Sequence, residues 1–194
     1  ALDASDVPRA LAAIVLANDA DLVTGAGDPL DLGLLRYATA QGVDVARLRL
    51  EHPLLAERPF DSAWKFARVT VRDAQDDDRA VSYIKGAPEA LIRRSTLSNE
   101  DRESWAKKAD AYAREGFRVL AVAWAEGETE EPRQLSSPAW SWAPPRPEVP
   151  EAVRTAQAAG IRVVMITGDH PATALSVARQ IGIPVARVLT GEDL

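Results

Sequence analysis

Three cations stand at the ends of apolar rows. In residues 65–71, KFARVTV, the pattern has period two, so Lys65 continues the face of Ala67, Val69 and Val71, opposite Phe66, Arg68 and Thr70. In residues 79–85, RAVSYIK, Lys85 continues the row of Val81 and Tyr83. In residues 117–125, FRVLAVAWA, Arg118 continues the row of Leu120, Val122 and Trp124. A cation on a half-buried face is costly unless it is paired or reaches the rim. Each one alone reads as a snorkelling side chain with a solvated head. Three in equivalent places also read as an anion pocket, where a lysine serves as a point charge for phosphate. Phe60, in ERPFDSAWK, offers either a core contact or an aromatic face for a base.

A second constellation is VVMITGDHPATA, residues 163–174. An apolar strand, a Thr-Gly-Asp turn and a helix opened by Pro171 form a geometry suited to gripping a phosphate or a magnesium-bound phosphate. Free N–H groups collect at a helix N-terminus, and ligands collect at the carboxyl ends of parallel strands. An ordinary helix capped by Asp169 fits the same residues.

These groups need elements to position them. Residues 7–18 and 28–42 read as helices, the second with Asp28 as N-cap and Pro29 at its first position, and a short helix is expected at 44–50. The strands at 65–71 and 79–85 form a hairpin around QDDD (75–78), and ERPFDSAWK precedes them as a loop. The stretch SYIKGAPEAL runs from a strand through Lys85 and Gly86 straight into a helix at 87–94, with Pro88 in its first turn. A longer helix spans about 98–115, N-capped by Ser98 or Asn99 and ended by Gly116, before the strand at 117–125. The proline-rich residues 126–147 read as a connector, with Trp140 and Trp142 pinned against a neighbouring unit. A β-α-type segment closes the chain: helix 148–159, strand 161–166, helix 171–181 and a short strand 186–190.

Bulk properties narrow the function. The 194 residues carry a net charge of −6, which argues against a general nucleic-acid or membrane-surface binder. The absence of cysteine excludes disulfides, thiolate zinc sites and cysteine nucleophiles. His52 and His170 lie far apart in the sequence, so no metal-ligating set is expected. No apolar run reaches the roughly 18–20 residues that span a bilayer.

Five stretches, GDPLDLGLL, PFDSAWKFARVTV, YIKGAPEAL, GFRVLAVA and PPRPEVPEAVRTAQAAGIRVVMITGDHPATALSVARQIGI, occur in the order found in one family. Together they resemble the large cytosolic loop of a P-type cation-transporting ATPase, and MITGDHPATA is similar to the type II group of calcium and sodium pumps. The resemblance implies an α/β fold: a nucleotide-binding domain with an antiparallel sheet flanked by helices, plus a partial haloacid-dehalogenase-like, Rossmann-type β-α segment. It divides the chain into an ATP-binding domain, residues 1–137, and part of a phosphorylation domain with its hinge, residues 138–194. It implies that Phe60 stacks on adenine and that Lys65 lies close to the nucleotide. Lys85 and Gly86 belong to the KGA motif of the ATP pocket, and Asp31 matches the acid that helps hold the adenine end. Arg118 and Leu120 flank the triphosphate and base, and Arg146 matches the hinge arginine. Thr167, Gly168 and Asp169 match the TGD motif that supports the phosphorylation site.

The departures limit that function. The DKTGT motif, whose aspartate accepts the phosphoryl group, is absent, as is the GDGxND magnesium motif; both would lie outside this stretch. Ser62 stands where some members carry a phosphate-binding arginine, and Ala143 replaces the aspartate of DPPR. The expectation is therefore a fragment from the cytoplasmic face of a membrane pump that binds ATP without turnover. Its implied partners are ATP, Mg2+ with the full-length protein, and the remaining domains and membrane helices of the same pump. No nucleic acid and no direct membrane contact are expected for these residues. Two other readings are a non-catalytic interaction module with a decayed pocket and a free-standing phosphatase. The second lacks a positioned nucleophile.

Overall fold

A computed structural model describes residues 8–73, 79–131, 134–141, 145–190 and 193, with backbone alone for 134–141. The expected turn at 75–78, Trp142, Ala143 and the side chain of Trp140 lie outside the described residues.

The first compact unit comprises Ala1–Ala106 and Leu120–Ala139. Three helices open it: α1 (Arg9–Leu16), α2 (Pro29–Ala40) and α3 (Val45–Glu51). The Asp28 side chain accepts the N–H of Leu30 and Pro29 occupies the first position of α2, while Asp44 accepts the N–H of Arg47 to start α3. Both caps satisfy N–H groups that a helix start leaves without partners.

Next come β1 (Leu54–Asp61), β2 (Phe66–Asp73) and β3 (Arg79–Gly86), then α4 (Pro88–Arg94), α5 (Asn99–Arg114), β4 (Arg118–Glu126) and β5 (Gln134–Ser141). The strands form one sheet in the order β1-β2-β3-β4-β5, and the pairs from β1 to β4 are antiparallel. Register puts Ala67, Lys85 and Val122 in one row and Val69, Tyr83 and Trp124 in the next, all on one face. On that face Val69, Val71, Val81, Tyr83 and Val122 pack with Ile14, Val15, Leu34, Leu35 and Leu48 of α1 to α3. The opposite face carries Phe66, Ile84, Ala121 and Ala123, which pack with Ala90 and Leu91 of α4. The central strands are covered on both sides, so the antiparallel, helix-flanked sheet expected from the sequence is the one observed.

Two strands depart from the expectation. β1 replaces the loop expected around ERPFDSAWK, and β5 lies in the expected connector. Both are edge strands, and each contains a proline, Pro59 and Pro138. Proline cannot donate to a ladder and is tolerated at an edge, so these strands carry turn-like sequences. β1 is mostly exposed, which removes the alternating apolar signal.

The second compact unit comprises Lys107–Val119 and Trp140–Leu194, with α6 (Val149–Ala158) and α7 (Pro171–Gln180). Val153, Ala178 and Ile181 are buried in it, and Gln157 donates to the carbonyl of Gly182 at 3.0 Å. The expected strands at 161–166 and 186–190 are not formed. A strand is defined by ladder bonds, and among the described residues neither stretch has a pairing neighbour. Ile161, Val164 and Ile166 are left exposed, and Ile166 is 94% accessible. The Rossmann-type part of the expectation is therefore limited here to two helices and the loop between them.

Candidate functional site

β1 and β2 are joined by residues 62–65, a tight turn. Asp61 Oδ1 accepts the N–H of Ala63, the Asp61 carbonyl accepts the N–H of Lys65 at 2.7 Å, and Lys65 closes the turn in the left-handed region at φ 62°. The hairpin thus carries Phe60, Ser62 and Lys65 on a short arc. Phe60 is 65% exposed, and Ser62 and Lys65 are also exposed.

The arc is fastened to the end of β3. The Lys65 carbonyl accepts the N–H of Ala87 at 2.9 Å, directly beside Gly86. A Cβ on Gly86 would lie 2.4 Å from the Lys65 carbonyl oxygen and 2.5 Å from the Phe66 Cβ. Glycine is what allows this approach. The Lys65 ammonium then reaches Glu89 in the first turn of α4, Nζ to Oε1 3.2 Å, on the surface.

Lys85, one residue before Gly86, is nearly buried, and its ammonium donates to Asp31 Oδ1. Asp31 lies in the first turn of α2, where a carboxylate also meets the favourable end of the helix dipole. An unpaired ammonium at this depth would be costly, so Asp31 is what makes burial of Lys85 tolerable. Leu120 lies on the same sheet face and packs against the core beneath. Phe60, Ser62, Lys65, Lys85, Gly86, Asp31 and Leu120 are thus linked by one hairpin, one carbonyl contact, one ion pair and one sheet face.

The second unit holds a separate group. Thr167 Oγ1 donates to Asp169 Oδ2 at 2.9 Å and accepts the Asp169 N–H at 3.1 Å. Asp169 Oδ1 accepts from Arg118 Nε at 2.8 Å. Gly168 is exposed with open space where a Cβ would stand. The N-cap of α7 is His170, whose Nδ1 accepts the N–H of Ala172, so Asp169 is not the cap. Its carboxylate is committed to Arg118 and Thr167 instead. Arg146 is exposed in the turn before α6, and its carbonyl accepts the N–H of Val149.

Each of the three strand-end cations therefore has a carboxylate partner: Lys65 with Glu89, Lys85 with Asp31, Arg118 with Asp169. Glu89 was missed as a partner of Lys65, because they are 24 residues apart and meet only through the carbonyl contact at Gly86. No group of three or more metal-ligating side chains occurs among the described residues.

The family model "P-type ATPase, cytoplasmic domain N" matches residues 6–151, and the chain belongs to that family. It is 31% identical over its whole length to calcium-transporting ATPase 1 of Lactococcus lactis. It is 33% identical to the calcium-transporting ATPase of Bacillus subtilis over 80% of the chain. It is 31% identical to the potassium-transporting ATPase alpha chain 2 of Cavia porcellus over 87% of the chain. The chain spans 24%, 19% and 19% of these relatives' lengths, so it corresponds to about a quarter of such a protein or less. Among the described residues no helix is long and apolar enough to cross a membrane.

Proposed function

We propose that this chain is the ATP-binding cytosolic region of a pump that couples ATP hydrolysis to cation transport across a membrane. An aspartyl-phosphate formed outside these residues would link the two. The chain itself binds ATP and does not turn it over. The observation that carries this reading is the nearly buried Lys85 ammonium, held by Asp31 at the strand end to which the Phe60–Ser62–Lys65 hairpin is fastened.

In this reading the Phe60 ring receives the adenine, which accounts for an aromatic left 65% exposed on an edge strand. Lys65 and Lys85 donate to phosphate oxygens, and charge-assisted bonds of this kind are the strong ones. Leu120 supplies an apolar floor, and Ser62 offers a hydroxyl where an arginine would have given a second charge. Gly86 lets the hairpin close against the strand end. Arg118, Arg146 and the Thr167–Asp169 turn act on the phosphate side once the rest of the pump is present. Mg2+ bound with the triphosphate would supply charge neutralisation during phosphoryl transfer. The exposed run at 161–166 would gain its neighbouring strands from the remaining domains of the same pump.

A second reading, an interaction module with a decayed pocket, is favoured by one observation: each of the three strand-end cations is already paired with a carboxylate. One titration separates the two. With ATP raised to millimolar concentration, the amide signals of residues around Phe60 and Lys85 should shift, and Phe60→Ala and Lys85→Ala should suppress the shift. Signals that stay still, or variants that shift like the wild type, would leave the interaction module standing.

A further inference from the structure

Asn18 follows the C-cap of α1 and is 4% exposed. Its side chain does two different things. The Oδ1 accepts the N–H of Ala20 at 2.9 Å, which folds the connector on itself. The Nδ2 donates to the main-chain carbonyl of Asp31 at 3.1 Å, which ties the connector to the first turn of α2. Behind it stands Arg49 of α3. Its guanidinium donates to the carbonyls of Asn18 at 2.5 Å, of Ala20 at 3.2 and 3.3 Å, and of Val15 at 3.4 Å. These include carbonyls that the end of α1 leaves without helical partners. The connector is also closed sterically, since a Cβ on Gly27, at φ +120°, would lie 2.6 Å from the Ala20 Cβ.

We infer that Asn18 is a positioning residue for the nucleotide site: its amide fixes the backbone of Asp31, and Asp31 in turn fixes the Lys85 ammonium. Arg49 holds Asn18 in place by occupying its carbonyl. The inference rests on the ATP-binding reading for its functional consequence, but the geometry of the Lys85 ammonium can be read without any ligand. A buried amide that spends one end on its own connector and the other on the residue carrying the site's carboxylate sets the position of a charge. General packing would need only an apolar side chain of similar size there.

The test uses the whole chain and three measurements. In a lysine-selective nitrogen spectrum, the Lys85 ammonium should give a slowly exchanging signal in the wild type and a broadened one in Asn18→Ala. ATP affinity, by calorimetry, should fall roughly 3- to 10-fold in Asn18→Ala, the range that one hydrogen bond carries. In an Asp31→Asn background the same substitution should cause no further loss. Urea unfolding of each variant gives the stability change separately. If Asn18→Ala does not fold, Asn18→Asp keeps the acceptor for Ala20 and removes the donor to Asp31, and the same measurements apply. An unchanged ammonium signal, or an equal loss of affinity in both backgrounds, would overturn the inference. Wild-type chain that fails to bind ATP would overturn the nucleotide reading instead, while a broadened ammonium signal in the variant would still support the positioning role.

Discussion

The Lys65 carbonyl and the Cα of Gly86 meet where two β-strands end, and nothing larger than hydrogen fits between them. A Cβ on Gly86 would lie 2.4 Å from that oxygen, and the adjacent Ala87 N–H donates to it at 2.9 Å. The contact involves backbone, so no side chain can swing away to relieve a clash. Gly86→Ala should therefore destabilise the chain by roughly 1–3 kcal/mol, the usual range for overpacking a closed site. Urea unfolding followed by circular dichroism measures it. A loss of ATP binding without a loss of stability would instead mean that the glycine serves the ligand alone.

Lys65 offers the complementary experiment. Its φ of 62° is a conformation that glycine adopts at no steric cost and other residues adopt at roughly 1 kcal/mol or more. Lys65→Gly removes the ammonium and the strain together. The relief is offset by the greater backbone freedom of glycine in the unfolded chain. Unfolding should change little, while affinity for ATP should fall and affinity for adenosine should not. Calorimetric titration with both ligands reads the difference. Equal loss for both ligands would mean that the turn, and not the charge, had been disturbed.

These two positions also mark what a sequence can convey. Local chemistry was legible: Asp28 and Pro29 start α2, Ser98 accepts the Asp101 N–H at the head of α5, and the period-two rows of β2 and β3 became the two faces of the sheet. The edge strands β1 and β5 were not legible, because an edge needs no apolar alternation and tolerates Pro59 and Pro138. The run at 161–166 misled for the opposite reason. It has the composition of a buried parallel strand, but strand formation depends on neighbours that are not among the described residues. In the candidate site, residue types were readable and partnerships were not. Lys85 with Asp31 is a contact across 54 positions, and Asn18 with Asp31 joins a helix end to the next helix start.

Tyr83 carries a pH prediction. It is 2% exposed, and burial pushes its phenol up to about 12 from 10.0; Asp73 adds to the rise, while the charge and hydrogen bond of Arg9 oppose it. The folded chain therefore keeps the phenol proton to higher pH than the unfolded chain. The sign follows: this contribution to stability is fully present below about pH 10 and is lost as pH rises through about 12. The loss should be on the order of 2 kcal/mol. Comparing urea unfolding of wild type and Tyr83→Phe between pH 9 and 12, roughly the window set by that shift, isolates it. The two curves should diverge with rising pH, the variant losing less. Parallel curves would mean that the phenol ionises freely in the fold.

Glu89 gives the sharpest prediction for the site. Its carboxylate holds the Lys65 ammonium at 3.2 Å, and both side chains are about half exposed, so the pair contributes little to stability. In the ATP-binding reading proposed above, the same carboxylate would compete with phosphate for Lys65 and add a negative charge near the triphosphate. Removing that charge should leave unfolding unchanged to within about 0.5 kcal/mol. Glu89→Gln keeps the shape, frees the ammonium, and should tighten ATP by a few-fold, about the size of one exposed charge interaction. Adenosine, which carries no phosphate, should bind the variant and the wild type alike. The gain for ATP should shrink as salt rises, because exposed charges separated by more than about 8–10 Å are largely screened near physiological ionic strength and closer ones lose part of their interaction. Titrations with ATP, ADP and adenosine at low and high salt resolve these trends. If Glu89→Gln weakens ATP instead, Glu89 orients Lys65 toward the phosphates, and its role is support and not competition.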